Sequence, residues 1–335
     1  MRLPRMLALG ASTLVLLSAC STGGGSVSPT PTGSTGATAT TGATATTAAT
    51  ATVVATSSAP KPTIKLGSDG FYESKLMAEI YGQALEAKGY TVDRTSIGLG
   101  TRKVTAAALE GGTFDLKPEY IGSGLAFYDA TKTTGDPATN AAALQTILTG
   151  KGGGITVLNY SPAADQNAFV VTKATATKYS LTKMSDLAAV QTQIKFGVAT
   201  DCATNPVCAK AIKTAYGIDL ANALPLSACD QPMVDALTAG TIQVGELCST
   251  QPDIAQNGWV LLTDDKHTQP ADNLAPLVRN DLLAKVDKAS FEQILNGVSA
   301  KMTTDELTKL NAEFVFAKKD IPTIATEWIT ANGPF

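Results

Sequence analysis

Short apolar runs alternate with amphipathic stretches from residue 61 onward, and this alternation constrains the fold more than any other feature of the sequence. The first elements predicted by their periodicity are a strand at 64–66, a helix at 76–85, a strand at 90–92, a helix at 104–109 and a strand at 114–116. Ser68 or Asp69 is the expected N-cap of the first helix, and Gly89 its end. This β–α–β–α–β order predicts a sheet with mainly parallel strand pairs.

The same alternation recurs in the middle of the chain, and the C-terminal part is helical. The predicted strands there are 169–171, 195–198 and 244–247, separated by helices near 184–190, 209–216 and 233–239. Thr303 and Glu306 match the two ends of a capping box, and a last helix is predicted at about 321–330. The pattern therefore predicts an α/β protein with two lobes and a ligand site near their junction, at the carboxyl ends of strands.

The first twenty residues have the organisation of an export signal. Arg2 and Arg5 precede a short apolar stretch that ends in Leu17-Ser18-Ala19-Cys20. That ending resembles the bacterial lipobox, which implies removal of residues 1–19 and lipidation of the Cys20 sulfur. Acyl chains on Cys20 would anchor the protein to the extracytoplasmic face of the cell membrane. An ordinary signal peptide with a chance cysteine is the alternative.

Residues 20–60 form the expected tether between this anchor and the folded body. The segment after Cys20 contains Ser, Thr, Gly, Ala, Pro and Val almost exclusively, and no charged side chain until Lys61. Such a composition cannot bury enough apolar surface to offset the entropy of ordering the chain. We therefore predict a disordered linker that holds the folded body near the membrane.

Four further cysteines, Cys202, Cys208, Cys229 and Cys248, are expected to form structural disulfides. An even number of cysteines in an exported protein favours disulfide bonds, and four cysteines allow three pairings. The short separation of Cys202 and Cys208 favours the local pairs 202–208 and 229–248.

Composition argues against several functions. The formal net charge is −3, so the chain has no concentration of basic residues of the kind that nucleic-acid binding needs. His267 is the only histidine, which argues against a zinc site and a Ser-His-Asp triad. We expect no metal, no cofactor and no catalytic residue.

The stretch "FDLKPEYIGSGL" has the features of a pocket edge. Phe114 and Leu116 are apolar strand residues, and the strand is followed by Tyr120 and then by Ser123 between two glycines. The glycines allow the backbone to approach a ligand closely. Tyr120 and Ser123 are therefore candidate ligand contacts, whereas the alternative for Tyr120 is a buried strand-end tyrosine.

Three segments of the chain are similar to a known family. They are "IKLGSDGFYESKLMAEIYGQALEAKGYTV", "ALEGGTFDLKPEYIGSGL" and "LLTDDKHTQPADNLAPLVR". They resemble the substrate-binding lipoproteins of ABC importers for osmoprotectants, the glycine betaine, choline and carnitine family that includes ProX-like and OpuAC-like proteins. The resemblance extends over about residues 62–332.

The resemblance implies a type 2 periplasmic-binding-protein fold with a ligand cleft between two lobes. One lobe would contain residues 61–160 and 264–335, and the other residues 165–262. The implied function is to bind a quaternary ammonium compound by lobe closure and deliver it to an ABC permease and its ATPase. In the family, aromatic rings surround the ammonium group, whose quaternary nitrogen has no N–H to donate.

The resemblance also indicates site residues. Tyr120 corresponds to the tyrosine of the family's P-E-Y-x-G motif, and Ser123 to the hydroxyl residue that follows it. The full set of expected ligand-binding residues is Ser68, Asp69, Phe71, Tyr120, Ser123, Gln166, Asn167, Asp201 and Asn205.

Several family positions differ in this chain. Asp69 and Asn205 stand where the family often has basic residues, and Asn167 stands where it has a second aromatic residue. The aromatic positions of the second lobe are occupied by Cys202 and by Met233 or Val234. The missing bases and the nearby acids lead us to expect a cationic or hydroxylated ligand without a strongly held carboxylate.

Three alternatives remain open at this level. A different small polar or cationic metabolite would fit the same fold. An exported enzyme would require a nucleophile and a base together in the cleft. A surface adhesin, which the Thr-rich segment would suit, would lack a pocket between the lobes.

Overall fold

The computed structural model describes residues 61–335. The predicted signal peptide, Cys20 and the predicted tether up to residue 60 lie outside this range. Within it, every helix is too short or too polar to cross a membrane.

Strands and helices alternate along the described chain. The strands are β1 (Thr63–Asp69), β2 (Thr91–Gly100), β3 (Leu116–Tyr120), β4 (Ile155–Val157), β5 (Asn167–Val171), β6 (Phe196–Ala199), β7 (Leu224–Leu226), β8 (Val244–Cys248), β9 (Val260–Leu261) and β10 (Leu274–Arg279). The helices are α1 (Tyr72–Glu86), α2 (Arg102–Glu110), α3 (Ile121–Asp129), α4 (Pro137–Leu148), α5 (Lys173–Tyr179), α6 (Met184–Leu187), α7 (Ala209–Tyr216), α8 (Gln231–Thr238), α9 (Asp253–Gln256), α10 (Asn280–Leu283), α11 (Lys288–Lys301), α12 (Thr304–Val315) and α13 (Ile321–Asn332), with a 3-10 turn at Ala130–Lys132.

The strands form two separate five-stranded sheets. The first has the spatial order β2-β1-β3-β10-β4, and the second has the order β7-β6-β8-β5-β9. β1 is parallel to β2 and β3, and β6 is parallel to β7 and β8. β10 and β5 are antiparallel to their neighbours. The parallel pairing predicted for the first three strands is therefore correct for those strands, but each complete sheet is mixed. Both antiparallel strands come directly after the chain has crossed from one sheet to the other.

Two crossing segments connect the sheets. The chain leaves the first sheet at 158–166 and returns to it at 262–273. The segments pair with each other where Ala164 and Asn273 form an isolated antiparallel bridge. The two α/β units are thus joined by two adjacent crossing segments. Units connected in this way can move as lobes about the junction.

Each sheet has its own hydrophobic core. On the first sheet, α1 packs its buried side chains, among them Tyr81 and Ile80, together with residues of α11 and α13 such as Phe291 and Trp328. In the second, Phe169, Phe196 and neighbouring residues pack in a separate cluster. Because the cores are distinct, the space between the lobes is left for polar contacts.

Several element bounds agree with the predictions, but the strand predicted at 114–116 is β3, which begins at Leu116, so Phe114 lies outside the strand and packs in a hydrophobic cluster. Helix α7 spans the predicted residues, and the Thr303 hydroxyl accepts from the Glu306 N–H at 3.2 Å as an N-cap does. Helix α1 begins at Tyr72, two residues later than an Asp69 N-cap would require, and its N-cap position is Phe71. Asp69 instead ends β1 and pairs with Lys117. The N-cap prediction for Ser68 or Asp69 is therefore wrong.

Both local disulfide pairs are present. Cys202 is bonded to Cys208, six residues away, and Cys229 to Cys248, nineteen residues away. The structure thus has the pairing that the sequence favoured. Both bonds lie in the unit formed by the second sheet and fasten its loops to the body of that lobe.

Candidate ligand-binding site

A cavity of about 450 Å³ lies where the strands of both sheets end. Asp69, Tyr120, Ala199 and Cys248 are the last residues of β1, β3, β6 and β8, and all four line it. This is the position in which open α/β sheets bind ligands, because loops diverge there and leave a crevice. Its size suits a small organic molecule.

Most of the predicted ligand residues line this cavity. They are Asp69, Phe71, Tyr120, Ser123, Asn167, Asp201 and Asn205. Ser68 and Gln166 do not: the Ser68 hydroxyl accepts from the Gly98 N–H at 2.8 Å, and the Gln166 amide donates to the Pro270 carbonyl at 2.6 Å. Each is the neighbour of a lining residue, and successive side chains of extended chain point to opposite sides.

The aromatic part of the lining belongs to the first lobe. The rings of Phe71 and Tyr120 have centroids 5.9 Å apart and are inclined at 35°. The Tyr120 hydroxyl donates to the buried Glu73 carboxylate, which fixes the ring. Phe71 and Tyr120 are the aromatic residues among those that line the cavity in the described chain.

The second-lobe positions that the resemblance associated with aromatic residues do not face the cavity. Cys202, Met233 and Val234 are buried in the hydrophobic cores of that lobe. The second-lobe wall is built instead from short and acidic side chains and from the Cys229–Cys248 disulfide.

A closed network of charges supports the first-lobe wall. The Lys117 ammonium group, only 1% exposed, lies 2.8 Å from an Asp69 oxygen and 3.1 Å from a Glu119 oxygen. Arg102 contacts the other Glu119 oxygen at 3.1 Å and donates to the Ser123 hydroxyl at 2.6 Å. Burial would raise the pKa of Glu119, but the charges of Arg102 and Lys117 outweigh it and hold the pKa at about 2. These acids and bases therefore satisfy one another.

Asp272 joins the start of α3 to the returning crossing segment. One of its carboxylate oxygens accepts from the N–H groups of Gly122 and Ser123, at 2.8 and 2.9 Å. Glycine is required at 122, since a Cβ there would lie 2.4 Å from the Ala271 carbonyl oxygen. Burial raises the pKa of Asp272 to about 6 in spite of the Arg102 charge.

The second-lobe wall contains acids without a basic partner. Asp201, Asp230 and Glu246 line the cavity, and none forms an ion pair with a basic residue of the described chain. Glu246 is 1% exposed, and its Oε2 accepts from the Ala199 N–H at 2.7 Å. Burial, with a contribution from the Asp201 charge, raises its pKa to about 7.

A buried polar cluster connects the two lobes behind Tyr120. Glu73 of α1 accepts from the Thr250 hydroxyl at 2.6 Å, from Tyr120 and from the Asn311 amide. Asp165, which lines the cavity, accepts from the Thr250 N–H at 3.1 Å. Burial raises the pKa values of both Glu73 and Asp165. The cluster links the ring of Tyr120 to residues on both sides of the junction.

Residues 62–331 match the model for the substrate-binding domain of ABC-type glycine betaine transport systems. The chain belongs to this family.

Individual relatives agree with that assignment. The chain is 25% identical over 280 residues to the glycine betaine-binding protein YehZ of Escherichia coli (strain K12), covering 81% of this chain and 90% of the relative. It is 26% identical over 278 residues to the carnitine transport binding protein OpuCC of Listeria monocytogenes, covering 82% and 88%. A crystal structure of a glycine betaine/carnitine/choline ABC transporter protein superposes with a TM-score of 0.64 at 25% identity, covering 80% of this chain and 97% of the other. The type 2 periplasmic-binding-protein fold is confirmed.

Seven polar residues of the described chain that line the cavity were not among the predicted ones. They are Thr101, Arg102, Asp165, Ser227, Asp230, Glu246 and Asp272. Arg102 is a basic residue that the sequence analysis did not place in the site, and its charge is already paired with Glu119. Its position at the first residue of a helix after a Gly-Leu-Gly loop was the available signal. The other residues reach the cavity through contacts between parts of the chain that are distant in sequence, and no local motif marks them.

One group of residues has the composition of a metal site. Ligand atoms of Cys202, Cys208 and Glu246 lie within 4.8 Å of one another. Because the two sulfurs are joined in a disulfide, neither is a thiolate that can bind a metal. Glu246 is therefore a residue of the cavity wall, and the Cys202–Cys208 disulfide lies behind it.

Proposed function

We propose that this protein is the extracytoplasmic solute-binding protein of an ABC importer for a quaternary ammonium compound such as choline, glycine betaine or carnitine. The ligand enters the cavity between the lobes, the lobes close on it, and the loaded protein delivers it to the permease and its ATPase. Membership of a family of transport binding proteins supports this function rather than that of an enzyme or an adhesin.

The observation that carries the ligand assignment is the ring pair beside an acidic cavity. Phe71 and Tyr120 present aromatic surface to the cavity, and ring faces attract a quaternary cation by about 0.5–2 kcal/mol each. Among residues 61–335, six acidic residues and one basic residue line the same space. A methylated ammonium group would be bound by the rings and favoured by the surrounding negative charge.

Ligand binding would favour the closed state because the cavity has walls from both lobes. Phe71 and Tyr120 belong to the first sheet's unit, and Asp201 and Glu246 to the second's. A ligand that contacts both walls stabilises the arrangement in which they are close. We propose the lobe bounds 61–160 with 264–335, and 165–262, for these two bodies.

We further propose that the protein is anchored to the cell membrane through a lipid on Cys20, after removal of residues 1–19. The Leu-Ser-Ala-Cys sequence after a short apolar stretch supports this. The Cys20→Ser variant should leave the membrane fraction and carry no acyl group. A variant that stays acylated and membrane-bound would refute the anchor at this residue.

A thermal-shift screen tests the ligand assignment. Glycine betaine, choline, carnitine and proline betaine should be compared with the polyamines putrescine and spermidine, which lack a quaternary nitrogen. A ligand present at a hundred times its Kd stabilises the protein by about 2.7 kcal/mol. We expect at least one quaternary compound to do so. Stabilisation by polyamines alone would instead indicate a binding protein for another cationic metabolite.

A further inference from the structure

We propose that Glu246 contacts the ligand and accepts an N–H or O–H hydrogen bond from it. The cleft would then prefer cations that carry a hydrogen-bond donor over cations without one and over zwitterions that end in a carboxylate. This inference rests on the proposed function and adds the residue that sets the preference.

The position of Glu246 is the first argument. It lies in β8, the strand between β6 and β5 in the second sheet, and its residue is 1% exposed. It also lines the cavity, opposite the wall that carries Phe71 and Tyr120. A buried side chain on a central strand is held firmly, so it can select among ligands by geometry.

The second argument is that one of its oxygens is without a partner. Oε2 accepts from the Ala199 N–H, whereas Oε1 has no hydrogen-bond donor within reach among residues 61–335. The Cys208 sulfur, 3.6 Å from Oε2, belongs to a disulfide and has no proton to donate. Oε1 is not among the side-chain atoms of the described chain that are sealed off without a partner, and Glu246 lines the cavity, so this oxygen is available to a ligand.

The other buried acids of the lining are more fully hydrogen-bonded than Glu246. Each accepts at least two hydrogen bonds from the protein: Asp69 from Lys117 and Thr105, Asp272 from two backbone N–H groups, and Asp165 from Thr250 and Ser249. Within the described chain Glu246 accepts one, from the Ala199 N–H, and the charge of Asp201 disfavours its ionised form. Burial raises the pKa of Glu246 to about 7, and a bound cation would favour its ionised state.

The chemistry of the preferred ligand follows from these contacts. The rings of the first lobe can hold a methylated ammonium group, which offers no N–H. A hydroxyl or amine at the other end of the molecule would donate to Oε1 of Glu246. A terminal carboxylate in that place would face Glu246 and Asp201, two acids without a basic partner in the described chain.

Calorimetric titration with a matched pair of cations tests the proposal. Choline and propyltrimethylammonium have the same number of heavy atoms and differ by a hydroxyl in place of a methyl group. A hydrogen bond to a charged group is equivalent to a preference for choline of about tenfold to a hundredfold. We expect that preference in the unaltered protein, a smaller one in Glu246→Gln, which keeps an oxygen but not the charge, and none in Glu246→Leu. Glycine betaine should bind the unaltered protein more weakly than choline does.

Asp253→Asn is the matched control. Asp253 is also a buried acid of the second lobe, 4% exposed, but it does not line this cavity. Its substitution removes a negative charge from the same lobe and should leave the choline preference unchanged. The thermal unfolding of each variant should be measured first, so that binding is compared among folded proteins.

The outcomes separate this inference from the proposed function. If both cations bind equally well and Glu246→Leu changes nothing, the inference is wrong and the importer function stands. If no quaternary compound binds, the proposed function and this inference are both wrong. Equal loss of preference in the Asp253→Asn control would also overturn the role of Glu246, because the effect would then be one of general charge.

Discussion

The two walls of the cavity are built on opposite principles. In the first lobe, Lys117 and Arg102 neutralise Asp69 and Glu119 within the protein, and two rings cover the surface. In the second lobe, the part of the lining that the structure describes has acids without bases, a disulfide and no aromatic ring. The charges of the first-lobe wall are therefore paired without a ligand, whereas the acids of the second-lobe wall are not.

This difference suggests how binding and closure are connected. A wall whose charges are already paired changes little when a ligand arrives, so it can serve as the platform that receives the cation. A wall with an unpaired buried acid gains most when a donor reaches it. The ligand would then dock on the first lobe, and contact with the second lobe would favour closure.

The largest effect is expected from removing the base at the centre of the first wall. Lys117→Met keeps the length of the side chain but leaves Asp69 and Glu119 as buried acids with less compensation. Breaking such a buried pair costs about 3–5 kcal/mol in the free energy of unfolding. Urea denaturation measures this.

The control for that prediction is Lys213→Met. Lys213 also forms an ion pair, with Asp219 at 2.7 Å, but both side chains are at least half exposed. Exposed pairs contribute about 0–1 kcal/mol, so the control should be nearly neutral. Similar small losses in both variants would show that the first wall does not depend on its internal charges.

In the second wall, Glu246→Gln should stabilise the ligand-free protein at neutral pH. The pKa of Glu246 is about 7 in the folded protein, above the ordinary value of 4.5. As the pH rises through this interval, the unfolded chain releases the proton first. The folded protein therefore loses stability relative to the unfolded chain until the pH passes about 7.

The difference between Glu246→Gln and the unaltered protein should accordingly be small near pH 4 and approach about 3 kcal/mol at pH 8. Denaturation curves at several pH values would show it. A difference that does not vary with pH would mean that Glu246 already has a compensating partner, and the contrast between the walls would disappear.

The smallest effect distinguishes the two functions of Tyr120. Tyr120→Ala removes the ring and should weaken binding of choline by about 1–3 kcal/mol. Tyr120→Phe keeps the ring but removes a donor to Glu73, so it should reduce stability by about 1 kcal/mol and largely preserve affinity. Calorimetry and urea denaturation separate the two. Undiminished binding by a folded Tyr120→Ala protein would place the cation elsewhere.

Much of the fold was predictable because it depends on local patterns. Helix α7 has apolar residues at helical spacing and ends at Gly217, whose φ of 72° suits glycine. The start of α1 was not predictable in this way. Asp69 is a good N-cap by residue type, but its pairing with Lys117, distant in sequence, decides its place.

The site was predictable only where a residue lies in a recognisable motif. Tyr120 and Ser123 belong to the P-E-Y-x-G-S segment, and both line the cavity. Glu246 lies in an ordinary apolar strand, and its importance depends on burial and on the absence of a donor for one oxygen, neither of which a sequence displays. Ser68 and Gln166, also predicted, do not line the cavity, and their side chains are hydrogen-bonded to Gly98 and Pro270 instead.

A structure determined with choline bound is the most direct test of the account. We predict that the trimethylammonium group contacts the rings of Phe71 and Tyr120, and that the hydroxyl lies within hydrogen-bond distance of Glu246. The ligand would then connect the first-lobe wall, whose charges are paired within the protein, to the second-lobe wall, whose acids have no basic partner in the described chain. A choline molecule bound outside this cavity, or one whose hydroxyl contacts only first-lobe residues, would contradict the account.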